Sequence, residues 1–590
     1  MIVLKLYTLV VVVLISSNLF SQSYPILMEG EFSDWDSISF IYSDSIEDVP
    51  SGGVDFGGLK AANDGEFLYL YIELNYEVNL QSELNSTLFL DSDNNASTGL
   101  SIDGIGAELV WNFAAKSGKF YFGGDSTVIS QIDLKIITSP TVSSETFEIS
   151  LELASRPDGT NLLFAGSEIS VLLKDNDSGD VLPELGENVL YQIEPVIGVP
   201  FDMIGLVKND SRFLRFMTWN VRRDDLFNPL FFDEYSRILK AIDPEIITFQ
   251  EIYDHNSEDL KTLMESILPS EEGEEWFTFR EANDIALASR YNIIGNWLPS
   301  INSGNRAFLI DLSPVYTKNL LVVGVHPPCC SNDAGRQNEV DAMMAFLRDE
   351  MQGGGAFQLD PGTPVIFAGD FNFVGDKRQL ETMLTGDIMD NATWGADFAP
   401  DWDGTFLSDA VPRHSRLSQT YTWQNEFSPF SPGRLDFIIF TDSAIDMEKT
   451  YVLRTEELIP DSLSKYGLLS EDTRLASDHL PVVADFYFQL KDIAVDGSAP
   501  NLPMTLRLEQ NYPNPFNPST QIGFFLELGG RATLNIYDTH GREVAELLDS
   551  LIEQGFHSII WNPEDLASGI YFYRLKSDNR TVTRKMLLLK

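Results

Sequence analysis

The stretch LRFMTWNVRRDDLFNPLFFDEYSRILKAIDPEIITFQE, residues 214–251, decides the fold of the middle of this chain. Its two ends, residues 214–221 and 244–251, are short apolar runs of the kind that form buried strands. Between them, residues 231–242 place apolar side chains on one helical face. These side chains are Phe232, Tyr235, Ile238, Leu239 and Ile242. Strand, helix and strand in this order predict a layered α/β core.

The same pattern of apolar strand-forming runs continues along the chain. Further strands are predicted at residues 319–326, 363–370, 434–440 and 480–488, where apolar and β-branched residues cluster between polar turns. We therefore expect one α/β domain over residues 212–489.

Polar residues gather at the ends of these predicted strands. Asn220 and Glu251 close the first two strands, and in a shared parallel sheet both side chains reach the same edge. The other polar residues at strand boundaries are Asp370, Asn372, Asp436, Asp478 and His479. Taken alone, a strand-terminal Asn or Asp is more often a turn former than a ligand. Together, carboxylates, amides and an imidazole at one edge predict a site for a hard divalent cation with a base beside it.

The motifs follow one another in a fixed order: TWN, QE, a strand that ends in histidine, GDFN, LDF and SDH. That order resembles the endonuclease/exonuclease/phosphatase superfamily over essentially the whole of residues 212–489. The resemblance implies a four-layer α/β sandwich and divalent-metal-dependent hydrolysis of phosphoesters.

The resemblance also implies roles for individual residues. Glu251 would bind Mg²⁺, or Mn²⁺, with help from Asn220, and Asp478 would contribute to the metal or phosphate site. Asp370 and Asn372 would orient the attacking water and the transferring phosphate.

Two histidines match positions of the family. The resemblance implies that His479 is the catalytic imidazole, oriented by Asp436, and that His326 faces the phosphate or the leaving group. The chain departs from the family at Gly324, where asparagine is common. The chemistry agrees with these roles, because hydrolysis develops negative charge on the phosphoryl and leaving oxygens, which a hard cation and an imidazolium stabilise.

The sequence indicates the type of reaction more clearly than the substrate. Nucleases, lipid phosphodiesterases and inositol or sugar phosphatases share the core that the resemblance implies. The RLDFI segment (434–438) and the lack of an evident apolar hairpin for contact with a membrane favour an extracellular nuclease. The formal net charge of −49 argues against a protein that coats duplexes through cationic stripes. Two alternatives stay open: a lipid or sugar/inositol phosphoesterase of the same fold, and a surface-binding protein with a degenerate enzyme domain.

Residues 24–200 have a different texture, with short alternating runs such as EFLYLYIEL (66–74) that predict an antiparallel β-sandwich. One loop, FLDSDNNASTG (89–99), carries Asp91, Asp93 and Asn95 at alternate positions, as an EF-hand loop does at its start. Ala96 and Ile102 stand where an EF-hand needs glycine and glutamate, so an EF-hand is excluded.

This region resembles the carbohydrate-binding-module-like sandwiches related to DOMON domains, through DWDSI near its start, the 89–99 loop, and GIGAELVW after it. The resemblance implies that the region binds calcium, through Asp91, Asp93 and Asn95, or carbohydrate. An Asx-rich hairpin turn without a ligand explains the loop equally well.

The two ends of the chain predict export. Residues 1–23 combine a basic start, an apolar run and small polar residues, as a secretory signal peptide does. A linker at 490–505 leads to residues 506–590, where LEQNYPNPFNPST (508–520) and TRKMLLLK (583–590) resemble the C-terminal sorting domain of type IX secretion. That resemblance implies a small β-sandwich, the type IX machinery as partner, and a secreted or cell-surface location. No transmembrane segment is predicted, because no other stretch approaches the ~20 apolar residues of a spanning helix.

Cys329 and Cys330 are the only cysteines of the chain. The α-carbons of neighbouring residues lie ~3.8 Å apart, whereas a disulfide usually spans ~4.4–6.8 Å. A strained ring and two free thiols therefore both stay open. A ring would close no long loop, so its effect would be confined to the turn after His326.

Overall fold

The computed structural model describes residues 26–44, 53–195, 201–281, 283–300, 304–313 and 315–488. Between 506 and 588 it describes all residues except 509–510, 512–515, 517, 527–529, 538–541, 553–554, 564–565, 567 and 578–579. The predicted signal peptide (1–23) and linker (490–505) lie outside the described residues.

The N-terminal region is a sandwich of two mainly antiparallel sheets, as predicted. Its strands are β1 (Tyr42–Ser43), β2 (Phe56–Asn63), β3 (Phe67–Val78), β4 (Ser86–Asp91), β5 (Leu100–Ile102), β6 (Ile105–Ala107), β7 (Leu109–Asn112), β8 (Ser117–Phe122), β9 (Asp125–Ile129), β10 (Ile136–Ser139), β11 (Ser144–Glu152), β12 (Glu168–Asp175), β13 (Val181–Leu182) and β14 (Leu190–Gln192). The short helix α1 (Gln131–Leu134) lies between β9 and β10. One sheet has the order β1-β2-β3-β11-β10 and the other β13-β12-β4-β7-β8-β9, with β14 beside β12.

The central region contains strands β15 (Leu214–Asn220), β16 (Ile246–Gln250), β17 (Phe277–Arg280), β18 (Ala286–Ser289), β19 (Asn292–Trp297), β20 (Arg306–Asp311), β21 (Leu320–Val325), β22 (Val365–Asp370), β23 (Ser408–Asp409), β24 (Asp436–Phe440), β25 (Asp446–Val452) and β26 (Val482–Tyr487). Its helices are α2 (Phe232–Ile242), α3 (Ser257–Ile267), α4 (Asp333–Gln352), α5 (Arg378–Thr385), α6 (Asn391–Trp394), α7 (Pro460–Tyr466) and α8 (Asp472–Ala476). The strand, helix and strand predicted within 214–251 are β15, α2 and β16.

These strands form two sheets, ordered β17-β18-β16-β15-β26-β25 and β19-β20-β21-β22-β24-β23. Two neighbouring pairs, β15 with β16 and β21 with β22, run parallel, while β26 and β24 run antiparallel to their neighbours. The C-terminal ends of β15, β16, β21 and β22 and the start of β24 therefore meet at one edge of the two sheets.

Alternating side chains explain why helices cover both sheets. Phe216 and Val322 point into the apolar layer between the two sheets. Their successors in sequence point outwards: Met217 packs against α2 and Val323 against α4. Because both faces of each sheet are apolar, both must be covered. The result is the predicted four-layer order of helices, sheet, sheet and helices.

The sandwich and the central domain form one compact unit, residues Met1–Lys491, and Asp492–Lys590 form a second. Side chains of both regions share one apolar cluster, to which Tyr69 of β3 contributes beside Phe308 and Ile438 of the central sheets. The Tyr69 hydroxyl also lies 2.8 Å from Ser418 Oγ of the central domain. The sandwich is therefore packed against the central domain.

The second unit is a small all-β structure with strands β27 (Leu506–Leu508), β28 (Thr520–Leu526), β29 (Gly530–Tyr537), β30 (Glu543–Ile552), β31 (Gly555–Trp561), β32 (Gly569–Ser577) and β33 (Arg580–Leu588). They form sheets ordered β27-β28-β31 and β30-β29-β32-β33. This confirms the predicted small β-sandwich. Within the described part of the chain, no helix has the length and apolar character needed to cross a membrane.

Candidate active site

Asn220 and Glu251 meet at the sheet edge. Asn220 is paired with Gln250 across the parallel strands β15 and β16, so Glu251 follows directly beside it. The Asn220 amide donates from Nδ2 to Glu251 Oε1 at 3.2 Å and to Asp370 Oδ2 at 3.0 Å. The structure thus brings together three of the predicted site residues, one from each of three strand ends.

Asp370 ends β22, and its approach to the neighbouring strand depends on the residue before it. A Cβ on Gly369 would lie 2.0 Å from the carbonyl oxygen of Val325 on β21, so no side chain fits there. Two residues further on, Asn372 turns back: its backbone N–H donates to Asp370 Oδ1 at 3.0 Å and its Nδ2 donates to the Pro327 carbonyl at 3.2 Å. The GDFN motif therefore ties β22 to the end of β21.

Glu251 and Asn372 both have left-handed backbones, with φ of 66° and 53°. This conformation is uncommon for residues other than glycine and is costly for an ordinary side chain. At Glu251 it is held by hydrogen bonds, because the backbone N–H donates to Asp284 Oδ2 at 3.2 Å and the carbonyl accepts from Asp224 N at 2.9 Å. Such strain at a candidate ligand directs its carboxylate into the site.

His479 forms a buried pair with Asp436. Its Nδ1 lies 2.8 Å from Asp436 Oδ2, and its backbone carbonyl accepts from Trp219 Nε1 at 2.9 Å. Burial alone would lower the pKa of His479, but the charges of Asp436 and Asp370 outweigh it and raise the pKa to about 10. At neutral pH the ring is therefore an imidazolium that donates from Nδ1 to Asp436 and presents an N–H at Nε2.

His326 forms a second pair of the same kind, with an aspartate that the sequence analysis did not select. Asp284 Oδ2 lies 2.5 Å from His326 Nδ1. Burial alone would lower the pKa of His326, but the hydrogen bond and charge of Asp284 raise it to about 9. For Asp284, burial works to raise the pKa, and the contact with His326 lowers it overall. Asp284 stands just before β18, so the rule that selected the other strand-end residues applies to it only once the pairing of β18 with β16 is known.

The absence of asparagine at Gly324 has a packing reason. A Cβ there would lie 2.6 Å from Ile285 Cγ2. His326 is held by other groups instead, because its backbone N–H donates to Asn305 Oδ1 at 2.9 Å.

Both imidazoles converge on one carboxylate. His326 Nε2 and His479 Nε2 lie 3.7 Å and 3.6 Å from Asp370 Oδ2. Asp370, Asp436 and His479 also form a group whose potential ligand atoms all lie within 4.8 Å of one another. Asp436 Oδ1 is buried and has no hydrogen-bond partner. The site therefore combines anionic oxygens with two N–H donors around one point, which suits binding and activation of an anionic ester.

Asp478 lies beside His479 but turns to a different neighbour. Its Oδ2 accepts from Trp423 Nε1 at 3.3 Å and from Asn425 Nδ2 at 3.2 Å. We name residues 424–432 the rim loop, because they border the site here. The described structure does not place Asp478 in the group formed by Asp370, Asp436 and His479.

The cysteine pair lies in the turn after His326. The structure joins Cys329 and Cys330 in a disulfide between neighbours, and Cys330 has a left-handed backbone with φ of 64°. The buried guanidinium of Arg336 donates from Nη1 to the carbonyls of Pro328 and Cys330 at 3.1 and 2.8 Å. Arg336 thus holds the turn in place from the first turns of α4.

A second acidic group lies in the sandwich. Asp91, Asp93 and Glu108 have potential ligand atoms within 4.8 Å of one another. Glu108 Oε2 accepts from the backbone N–H of Ser92 at 2.9 Å, while Glu108 Oε1 is buried without a hydrogen-bond partner. Burial, followed by the charges of Asp93 and Asp91, raises the pKa of Glu108. The predicted residue Asn95 instead accepts from Ser97 N through its Oδ1, at 3.1 Å.

The two helix-covered sheets bring carboxylates and imidazoles together at one edge, an arrangement that suits hydrolysis of phosphoesters. Residues 217–479 match the model of the Endonuclease/Exonuclease/phosphatase family, to which the central domain belongs. Residues 510–589 match the Secretion system C-terminal sorting domain, the type IX sorting tail. The predicted resemblances of the central and C-terminal regions are confirmed, and the chain combines a phosphoesterase domain with a tail for secretion or surface delivery. Enzymes of this family depend on a divalent metal.

Several solved structures are similar to part of this chain. ANGEL2, a 2′,3′-cyclic phosphatase, is 14% identical, with a TM-score of 0.31 over 47% of this chain and 96% of its own. Sphingomyelinase C from Streptomyces griseocarneus is 15% identical, with a TM-score of 0.26 over 46% and 99%. The AP endonuclease LMAP from Leishmania major is 13% identical, with a TM-score of 0.27 over 50% and 93%. No curated protein matches the chain.

Proposed function

We propose that this chain is an exported, Mg²⁺-dependent phosphodiesterase that cleaves extracellular nucleic acid. The observation that carries the proposal is the convergence of two histidine–aspartate pairs on Asp370, beside the carboxylate of Glu251. Export rests on the sorting tail, together with the proposed signal peptide at 1–23. We retain the proposed boundaries 24–200 for the sandwich, 212–489 for the enzyme domain, 490–505 for the linker and 506–590 for the sorting domain.

The donor set fits a hard divalent cation. Glu251 and Asn220 would hold Mg²⁺, or Mn²⁺, since carboxylate and amide oxygens are the ligands these ions prefer. In the structure the Asn220 Nδ2 group lies between the carboxylates of Glu251 and Asp370, where a cation would find two anionic oxygens. The Asn220 Oδ1 accepts from Arg222 N at 3.0 Å, so the amide would have to turn for its oxygen to become a ligand. When bound, the cation would act as a Lewis acid that stabilises negative charge on the phosphoryl group.

The remaining steps belong to the side chains of the chain. Asp370 accepts hydrogen bonds and carries a negative charge, so it would orient the attacking water, with Asn372 positioning the phosphate beside it. His479 would donate its Nε2 proton to a phosphoryl or leaving oxygen, because Asp436 keeps the ring protonated and fixes its orientation. His326, kept protonated by Asp284, would donate to another oxygen of the same phosphate. Asp478 would act through its charge, which further raises the pKa of His479.

We expect hydrolysis of bis(p-nitrophenyl) phosphate and of DNA to stop when a chelator removes divalent cations. Mg²⁺ or Mn²⁺ should restore it, because the carboxylates at the sheet edge then regain their counter-charge. Initial rates on the full chain, measured with chelator and after metal is added back, test this. Full activity in the presence of chelator would contradict the proposal.

Two alternative functions are separated by one panel of substrates. DNA, RNA, sphingomyelin and inositol phosphates should be offered to the full chain under identical conditions. Hydrolysis of nucleic acid supports the proposal, whereas turnover of lipid or inositol phosphate alone supports a phosphoesterase of the same fold. Failure on every substrate, combined with binding to a glycan array, would support a surface-binding protein with a degenerate enzyme domain. Carbohydrate binding by the sandwich remains a proposal of its own.

We also propose a Ca²⁺ site in the sandwich, formed by Asp91, Asp93 and Glu108. Three carboxylates within 4.8 Å of one another repel each other unless a cation or protons neutralise them. Glu108 supports the assignment most strongly, because its unpartnered Oε1 is buried and a residue only 6% exposed gains little solvation from water. Oxygen ligands of this kind suit Ca²⁺.

Saturating Ca²⁺ should raise the midpoint of thermal unfolding by about 5 °C, because a ligand that binds only the folded state stabilises it. Glu108→Gln should remove this shift, and Glu187→Gln, an exposed glutamate of the same sandwich, should keep it. All three proteins should carry Glu251→Gln, so that Ca²⁺ at the enzyme site does not contribute. An equal shift with and without Glu108 would rule out this site.

A further inference from the structure

The rim loop is anchored next to the candidate active site. Trp423, just before the loop, pairs by β-bridges with both Gly433 and His479. The backbone N–H of Gln424 donates to the carbonyl of Asp478 at 2.9 Å, and Asn425 Nδ2 donates to Asp478 Oδ2 at 3.2 Å. The start of the loop is therefore fixed one residue away from the His479 imidazole.

The loop presents Phe427 most fully to solvent, since Phe430, its other aromatic residue, is only 43% exposed. Phe427 is 97% exposed, and its backbone N–H donates to Asn425 Oδ1 at 2.9 Å. Asn425 is the same side chain that holds Asp478. The backbone that carries the ring is therefore linked through one side chain, Asn425, to Asp478 beside His479.

Two glutamine side chains of the sandwich hold this loop through hydrogen bonds. Gln131 of α1 is 1% exposed and donates from Nε2 to the carbonyls of Asn425 and Ser428, each at 3.3 Å. The backbone N–H of Ser431 donates to Gln81 Oε1 at 2.9 Å. A loop that is clamped by buried polar groups presents its side chains in a defined place, as binding residues require. The Phe427 ring therefore lies on a loop whose backbone is held in place by hydrogen bonds.

The chemistry around the ring favours a nucleobase as its partner. The neighbours of Phe427 in sequence are the polar residues Ser428 and Glu426, which pairs with Arg474 at 3.7 Å. Phe430 lies under a cation, because the Lys116 Nζ is 4.5 Å from its ring centroid. One freely exposed ring and one ring covered by an ammonium group bury too little apolar area to hold a protein on a bilayer. A nucleobase, in contrast, offers an apolar face next to a phosphodiester, and base–aromatic stacking tolerates any sequence because every base has a π-face. The formal net charge of −49 argues against duplex binding through a cationic stripe, so an unpaired base is the better fit.

We propose that the rim loop is a stacking platform for single-stranded nucleic acid. Phe427 contacts the base next to the phosphodiester in the site, and Gln131 is the positioning residue that holds the loop. This inference rests on the proposed function, because the loop borders the same site.

The test compares two substrates on the full chain: a short single-stranded DNA, and a strand of equal length whose nucleotides carry tetrahydrofuran in place of base and sugar. Phe427→Ala should raise KM for the DNA by about 10-fold, the scale of one lost stacking contact, and leave kcat unchanged. KM for the base-free strand should not change. Phe427→Trp should restore the wild-type KM.

Gln131→Met keeps the volume of the side chain but donates no hydrogen bond. It should raise KM for the DNA in the same direction and leave kcat and the base-free strand unchanged, a split that a general loss of folding would not produce. Phe406→Ala is the matched control. Phe406 is 62% exposed and precedes Ser408, which pairs with Phe440 at the end of β24 away from Asp436.

Equal rises of KM for both strands, or no rise for the DNA, would overturn the inference. So would a loss of activity on sphingomyelin vesicles without a loss on DNA, which would indicate membrane contact. A wild-type chain that hydrolyses no phosphodiester would refute the proposed function. In that case the dissociation constants of the two strands, measured by fluorescence anisotropy with chelator, still decide the inference: an equal affinity of Phe427→Ala and wild type for DNA overturns it.

Discussion

Glu251→Gln is expected to lower kcat/KM for phosphodiesters by about 10³-fold or more, as expected when a charge-stabilising group is lost from an active site. Glutamine keeps the shape of the side chain but removes the negative charge that would bind the cation. The backbone at this position is held by Asp284 and Asp224, so the substitution should leave the fold intact. The rate, and the affinity for Mn²⁺ by calorimetry, should fall together while the unfolding temperature stays unchanged.

The control for this experiment is Glu272→Gln, the same change at an exposed position before β17. It should have wild-type kinetics. A Glu251→Gln enzyme with wild-type kcat/KM would show that the metal is held elsewhere.

His479→Asn is expected to lower kcat by about 10²–10⁴-fold, the usual contribution of a positioned acid or base. Asparagine can still donate to Asp436 from Nδ2, in the place of Nδ1–H, but it has no group at the position of Nε2. His479→Ala is less suitable, because it would leave the fully buried Asp436 without its partner, at a cost of about 3–5 kcal/mol. Single-turnover rates at saturating metal give the measurement.

His414 offers a matched control, since it is also fully buried and also paired with a carboxylate. Its Nδ1 lies 2.7 Å from Glu457 Oε1 and its Nε2 lies 2.8 Å from the Tyr421 carbonyl oxygen. His414→Asn should lower the unfolding temperature and leave kcat unchanged. If both variants lower kcat alike, the effect of His479 is structural and its catalytic role is lost.

Much of the site could be predicted because its residues stand at strand ends. The positions of Asn220, Glu251 and Asp370 follow from apolar runs whose lengths are easy to read, and parallel strands bring their C-terminal ends to one edge. Asp284 was missed, because the pairing of β18 with β16 involves residues far apart in sequence. Glu108 was missed because it meets Asp91 only through the pairing of β7 with β4 in one sheet.

The direction of a side chain was harder to predict than its location. Asp478 is adjacent to His479 in sequence, and the motif implied a role at the metal. In the structure its carboxylate accepts hydrogen bonds from Trp423 and Asn425. Local sequence places the backbone, but the choice between two polar neighbours depends on loops that arrive from elsewhere.

The sequence by itself determined the α/β class of the central region and the sorting tail, and it predicted the three regions and the main residues of the candidate site. These follow from local periodicity and from the order of motifs along the sequence, and neither requires knowledge of tertiary contacts. Only the tertiary structure decided that Asp284 pairs with His326, that Glu108 joins Asp91 and Asp93, and that Gln131 of the sandwich holds the loop beside Asp478. The first and third are contacts between residues distant in the chain, which arise from the packing of whole sheets and loops. The second depends on the register in which β4 pairs with β7, which no local pattern encodes.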